Sequence, residues 1–470
     1  MTSYTSFHSR PRMLCLIGIG LLSGTFAMMG LECPAAPVIP GGGGDDGGPG
    51  TGNSGVTGKY VGSERCSQCH ARAHEAWGQT LHAKALSTLE KIGQGSNAAC
   101  LGCHTIGFGE EGGFVNRATT NVLANVGCES CHGPGRDHVT NVNVVELRPP
   151  KSISADVCGK CHTGSHHPTF EQWSGSGKAL VTDGVWQSFA NGTNLNNCGT
   201  CHSGDFRYLA VYNNETVQND YLKNKTREEM HGITCVICHD PHNRTGNAAF
   251  PEEGRDYQLR FRQVLDPVPS NTVEDATNKE RFNLCGQCHH SRGRTWADTA
   301  RGPHHSVQAN VYIGEMPVPV DTPPLVLSMN SPHRLVREQC STCHMYRKDF
   351  ESEVAPAISG HDFKVNYEGC TGAGCHPSGA NALALKQTLE NNVKTRLDGI
   401  KNRLGDPATW EYTSNGGPNN AGQAALSDAI KKVRFLYHYT ISDGSYGMHN
   451  PAYVKAMLTR AEDLLTAEGR

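Results

Sequence analysis

The triplet Cys-x-x-Cys-His recurs eight times in this chain, and a ninth copy carries a four-residue spacer. In order the copies are Cys66/Cys69/His70, Cys100/Cys103/His104, Cys128/Cys131/His132, Cys158/Cys161/His162, Cys198/Cys201/His202, Cys235/Cys238/His239, Cys285/Cys288/His289, Cys340/Cys343/His344 and Cys370/Cys375/His376. Chance occurrence predicts about 0.04 of the short form in a chain of this composition. Two thiols at this spacing add to the two vinyl groups of a haem, and the histidine that follows ligates its iron. A zinc reading fails because the histidine adjoins the second cysteine in every copy. The motifs consume eighteen of the twenty cysteines, leaving only Cys15 and Cys33, so no pair remains in the body of the chain for a disulfide.

Nine covalent haems constrain the fold. Only 37% of the residues are apolar, and the haem plates replace side chains as core. The first cysteines of successive motifs are irregularly spaced, so the array is not a strict repeat. The expected fold is mainly α with extensive loops, organised around the haem array. The expected divisions are a signal sequence at 1–30, a Gly-rich flexible linker at 31–58, a nonahaem domain at 59–380 and a C-terminal helical module at 381–470. In that module Leu385, Leu389, Val393, Leu397, Ile400 and Leu404 recur at helical spacing. A second helix is expected over Ala424–Tyr439. A third starts after Asn450, an N-cap followed by Pro451 at the first helical position. Pro-rich loops at Val264–Ser270 and Met316–Leu325 are expected to form surface excursions or partner contacts.

The formal net charge of −3 omits the cofactors. Each ferric haem subtracts one further unit, because two propionates outweigh one core charge, which takes the oxidised holoprotein to about −12. That balance argues against nucleic acid as a partner. Arg10 and Arg12 precede the apolar stretch Met13–Gly30, the pattern of an export signal. The protein is therefore expected outside the cytoplasm, in the periplasm or at the outer membrane or cell surface of a bacterium. Cys33 follows the apolar stretch and precedes a Gly-rich tract, so lipidation there would supply a membrane tether. Glu32, Leu31 and Gly30 fit a lipidation box poorly.

Each motif histidine fills one axial position of an iron. The group on the other side decides whether the iron is closed or open to substrate. Fourteen histidines lie outside the motifs and the leader. The distal candidates are His82, His138, one of His166/His167 (His167 is carried in the set), His231, His242, one of His304/His305 (His305 is carried), His333, His361 and His449. His74 and His290 are weaker, and His438 reads as a packing or hydrogen-bonding residue. Enough histidines exist to close every iron, and a His-rich supply points to low potentials.

Tyr60–His70 with Trp77 and His82 resembles the opening of the tetrahaem nitrifier cytochrome family, whose superfamily includes hydroxylamine oxidoreductase and octahaem reductases. Gly127–Gly135 with His138, Gly232–His242 and Asp443–Pro451 resemble the same group. The resemblance implies paired haems, stacked or nearly perpendicular, with His82, His138, His231, His242, His361 and His449 as distal ligands. The expected function is electron transfer along mostly bis-His haems, between a respiratory donor and a terminal or extracellular acceptor, through redox partner proteins. Two alternatives stand beside it. One is a reductase or oxidase of small nitrogen or sulfur compounds at one open haem. The other is a self-associating haem-filament subunit.

Overall fold

The computed structural model describes residues 58–264, 283–316, 319–321, 331–372 and 374–470. The expected leader, the linker and Cys33 lie outside these residues, as do most of both Pro-rich loops. Gly52–Arg470 form one compact unit.

The described chain is helical with long loops, and its only β pairing consists of isolated bridges such as His239 with Leu259. The reason is visible in the motifs. Positions i, i+3 and i+4 share one face of a helix, so a single helical turn presents both thiols and the imidazole to one macrocycle. Cys128–His132 and Cys340–His344 are such turns, and longer helices at Ala98–His104 and Leu195–His202 end on their motifs. In other copies the bond from the histidine N–H to the first cysteine carbonyl closes the turn, at 2.9 Å for His70 and His162. The ninth motif differs. Its first cysteine ends a 3₁₀ turn, Tyr367–Cys370, and Gly374 takes φ +69°, a left-handed conformation that lets the longer spacer double back.

The apolar side chains gather into separate clusters. A small one holds Tyr60, Leu86, Leu101, Ile106 and Leu123, with Cys100 at its edge. A second holds Val181, Phe189, Leu195 and Leu222, with Cys198 at its edge. The largest lies among three C-terminal helices, α1 (Gly379–Leu404), α2 (Asp428–Asp443) and α3 (Pro451–Ala467). Val393, Leu397, Ile400 and Leu404 line the buried face of α1, and Val454, Met457, Leu458, Ala461 and Leu465 that of α3. Val307 and Val311, next to the seventh motif, belong to the same cluster, so the C-terminal helices pack directly on the haem-bearing part. The helix expected over Ala424–Tyr439 is two helices, because Ser427 caps α2 by accepting from the Ile430 N–H and ends the preceding Asn420–Ala425 segment. Asn450 caps α3 as expected, accepting from the Tyr453 N–H. Among the described residues no helix is long and apolar enough to cross a membrane.

Candidate functional site

The motif histidines are oriented before any iron is considered. His104, His132, His239 and His344 donate Nδ1–H to the carbonyls of Ala85, Pro150, Tyr257 and Phe363, at 3.0, 2.9, 2.6 and 3.1 Å. His202 and His289 use Thr182 Oγ1 and Gln308 Oε1, at 3.1 and 3.2 Å. These bonds place the proton on Nδ1 and leave the Nε2 lone pair for a metal. Ligation requires a neutral ring, and burial supplies it by pushing His162 and His361 down to about 4.

Imidazoles then meet in pairs. Ring centroids lie 6.0 Å apart for His132–His242, 5.9 Å for His202–His305 and 6.3 Å for His239–His361. They lie 6.5 Å apart for His333–His376, 6.3 Å for His344–His449 and 6.1 Å for His82–His162. Two metal–imidazole bonds of about 2 Å, plus roughly 1 Å from nitrogen to ring centre on each side, require about 6 Å. Direct stacking would bring the rings closer, as His166 and Phe350 show at 3.7 Å. Among the described residues no three His, Cys, Asp or Glu side chains converge on one point, so the ligands pair instead of clustering. Six of the nine motifs thus hold one imidazole facing another across a gap that fits an iron.

The remaining expected ligands are placed differently. His305, not His304, faces His202. His304 is bonded through Nδ1 to Ser306 and approached at Nε2 by Arg292. His167 lies 6.4 Å from His162, a position His82 already fills. His138 sits on Arg136–Thr140, which is tied to the first motif's approach by Arg136 N–H to the Lys59 carbonyl; its Nδ1 is buried without a partner. His231 is held through its Nδ1, which leaves Nε2 as the atom that could reach an iron. Its backbone N–H and its Nδ1 both bind the Asp205 carboxylate, at 2.8 and 2.9 Å, and no motif ring faces it among the described residues. His438 gives its Nε2 to Glu411 at 2.8 Å, a hydrogen-bonding role as expected. His74 packs against Trp77.

The motif cysteines show how the sites adjoin. Thiols of different motifs lie close enough for one to shift the other's pKa in the pairs Cys66–Cys128, Cys103–Cys161, Cys158–Cys235, Cys201–Cys288, Cys285–Cys340 and Cys343–Cys370. Two further neighbours, Cys131 with Cys158 and Cys238 with Cys288, interact electrostatically. Thioethers sit on the vinyl-bearing edge of a porphyrin, so neighbouring sulfurs bring haem edges near one another. Together these neighbours link all nine motifs in one tree. Its trunk runs first, third, fourth, sixth, seventh, eighth, ninth, with the second motif branching at the fourth and the fifth at the seventh. Local chemistry fixes these junctions. Between the first and third motifs the buried Glu129 carboxylate accepts N–H bonds from Val61, Gly62 and Gly135, at 3.0, 2.8 and 2.7 Å.

The attachment cysteines differ in exposure. Cys69, Cys131 and Cys375 are exposed, whereas the other fifteen motif cysteines are half-buried. For Cys69 and Cys375 the reason is position. They are the second thiols of the first and ninth motifs, which end the trunk, so fewer neighbouring motifs cover them. Gln68 and His70 beside Cys69 are exposed as well. Cys375 follows the exposed Gly374, where the longer spacer bulges outward before His376. Spacing alone places both thiols within reach of a vinyl group, but it carries no sign of which macrocycle edge meets water.

Sequence reasoning missed the acidic partners of the distal histidines. Asp443 is fully buried and accepts from His449 Nδ1 at 2.6 Å. Burial would lower the pKa of His449, but the carboxylate outweighs it and the net shift is upward. The same contact makes the ligand more basic and favours ferric iron. Asp443→Asn should raise the potential of the haem on Cys340 and Cys343 by about 60 mV, a tenfold change in the one-electron equilibrium. A spectroelectrochemical titration in which no component moves upward would refute this.

Known proteins similar to this chain are cytochromes. A family model described as cytochrome c554 and c-prime matches residues 65–133. A cytochrome c-554 of Nitrosomonas europaea is 33% identical over 120 residues, 22% of this chain and 51% of that protein. The C-type polyheme cytochrome OmcB of Geobacter sulfurreducens is 25% identical over 251 residues, 51% of this chain and 26% of that one. The chain thus covers about half of the first relative and a quarter of the second. The outer cell wall cytochrome OcwA superposes with a TM-score of 0.55 at 19% identity, over 87% of this chain and 100% of that one. An undecaheme cytochrome from the S-layer of Carboxydothermus ferrireducens gives 0.55 at 20%, over 87% and 69%. At these identities the structural likeness is one of fold.

Proposed function

We propose that this multihaem c-type cytochrome carries nine haems, most of them bis-His, and conducts electrons along them between a respiratory donor and a terminal or extracellular acceptor. The observation that carries the reading is the linked set of neighbouring motif sulfurs, which leaves no motif isolated. Haems supply the one-electron carriers when bound. The chain's own residues hold them edge to edge, keep the axial imidazoles neutral and oriented, and close the irons. The exposed Cys69 and Cys375, at the two ends of the trunk, mark the edges where electrons enter and leave. An exported position, in the periplasm or at the cell surface, suits the covalent haem chemistry, and two proteins of like fold are named for an outer cell wall and an S-layer. The partners are redox proteins at its surface.

The test uses the purified full-length protein. Haem content by mass and pyridine haemochrome should be nine per chain. Mixing the reduced protein with excess soluble acceptor should oxidise all haems as one connected pool. A haem fraction that stays reduced on that timescale would overturn the reading. One observation favours a second reading. Among the described residues, the rings of His70 and His104 face no imidazole at ligation distance. An open iron there would suit a reductase or oxidase of small nitrogen or sulfur compounds. Turnover of nitrite, hydroxylamine or tetrathionate with a redox dye decides between the two.

A further inference from the structure

His289, in the seventh motif, is the one motif histidine whose Nε2 is met by an amine. Its tautomer is fixed. Gln308 donates through its own Nε2 to the carbonyls of His305, Ser442 and Asp443, at 3.2, 3.2 and 3.3 Å, which leaves Gln308 Oε1 to accept from His289 Nδ1. The Nε2 lone pair, the atom that binds iron, therefore points away from Gln308. Lys178 Nζ lies 3.2 Å from it. In six other motifs this place belongs to an imidazole.

Lys178 is built in, not trailing from the surface. Its N–H donates to Ser176 Oγ at 3.1 Å and its carbonyl accepts from the Ile233 N–H at 2.8 Å. Its carbonyl lies so close to Gly232 that a Cβ there would stand 2.5 Å from it. Among the described residues no carboxylate pairs with its side chain. The charged or titratable groups acting on or felt around it are motif groups: Cys238, Cys285 and Cys288, with His202 and His289. An amine has a lone pair to give a metal that displaces its proton. Two metal–nitrogen bonds need about 4 Å between the nitrogens, a gap the flexible lysine stem reaches by a small rotation.

We propose that Lys178 is the sixth ligand of the haem carried by Cys285, Cys288 and His289. This iron is then His–Lys ligated and sits at the junction where the fifth, sixth and eighth motifs meet. Imidazole accepts electron density from iron and an amine does not, so this haem differs in potential from its bis-His neighbours at the point where the tree branches. The proposal rests on the reading of the seventh motif as haem-bearing, and haem counting tests that separately.

The experiment is near-infrared magnetic circular dichroism and electron paramagnetic resonance on the oxidised full-length protein, with haem content measured on the same sample. The wild type should show one low-spin His–Lys component beside the bis-His ones. Lys178→Ala should lose that component and gain one high-spin haem that binds cyanide. Lys178→Met should replace it with a His–Met signature, and Lys178→Arg, which keeps the charge but cannot ligate, should behave like Lys178→Ala. His231→Ala should leave the His–Lys component in place, because Lys178, not His231, meets His289 Nε2. A wild-type spectrum without any His–Lys component, at full haem content, overturns the proposal, as does a Lys178→Ala spectrum identical to the wild type. A protein that conducts poorly yet shows the component would fail the electron-transfer reading and keep this one.

Discussion

A variant with Cys158→Ser, Cys161→Ser and His162→Gly should carry one haem fewer than its parent and behave as disconnected redox pools. In the tree of neighbouring sulfurs the fourth motif is the only link between three groups. Cys131 reaches it from the first and third motifs, Cys103 meets Cys161 from the second, and Cys235 meets Cys158 from the sixth onward. Without that haem, the first and third motifs, the second motif, and the sixth to ninth with the fifth no longer share an edge. After a sub-stoichiometric pulse of reductant, the parent should re-equilibrate at a rate independent of protein concentration. The variant should equalise its pools only by collision, at a rate proportional to concentration and slower by orders of magnitude at dilution. Unimolecular re-equilibration across all remaining haems would show that the neighbouring sulfurs do not define the path. The variant also loses the apolar plate of the fourth haem, so its circular dichroism should be compared with the parent's before the rates are read.

The sequence made the attachment sites legible because their chemistry is local: two thiols and an imidazole within one helical turn. Their exposure was not legible, since spacing does not say that Cys69, Cys131 and Cys375 are the exposed ones. The fold class was legible because short helical turns on a chain with few apolar residues leave loops between them. The distal ligands were legible as a list but not as pairs. His239 meets His361, and His82 meets His162, from segments brought together only by the packed array. The choice of His305 over His304 depended on which ring Ser306 and Arg292 engage. The carboxylates that orient distal candidates were not legible either: Asp205, three residues after His202, takes His231 Nδ1, and Asp443 takes His449 Nδ1. Lys178 gave no signal, because a lysine flanked by Gly177 and Ser176 reads as a solvated turn. In the C-terminal helices the apolar spacing located the buried faces, whereas the break before α2 depended on a single serine cap.

His242→Ala should open the iron of the third motif. The His132 and His242 rings lie 6.0 Å apart with an interplanar angle of only 7°, so cutting back one ring empties one whole axial position. His242 stands on a turn fixed by Asp240, whose Oδ1 accepts the His242 N–H at 3.0 Å and whose Oδ2 lies 3.4 Å from Arg260. That turn uses only backbone at position 242, so alanine should keep it. The residue is exposed along one edge, but the protein atoms around its ring, reinforced by His132, lower its pKa and keep it neutral for ligation in the parent. The variant should convert one haem to a high-spin form that binds cyanide or carbon monoxide, with the other low-spin signals unchanged. Its stability should fall by less than about 1 kcal/mol, since an exposed side chain is removed and no buried polar group is left unpaired. His438→Ala is the matched control: its imidazole serves Glu411, so the spin state of every haem should stay as it was. A low-spin spectrum in both variants would mean that another group, not His242, closes that iron.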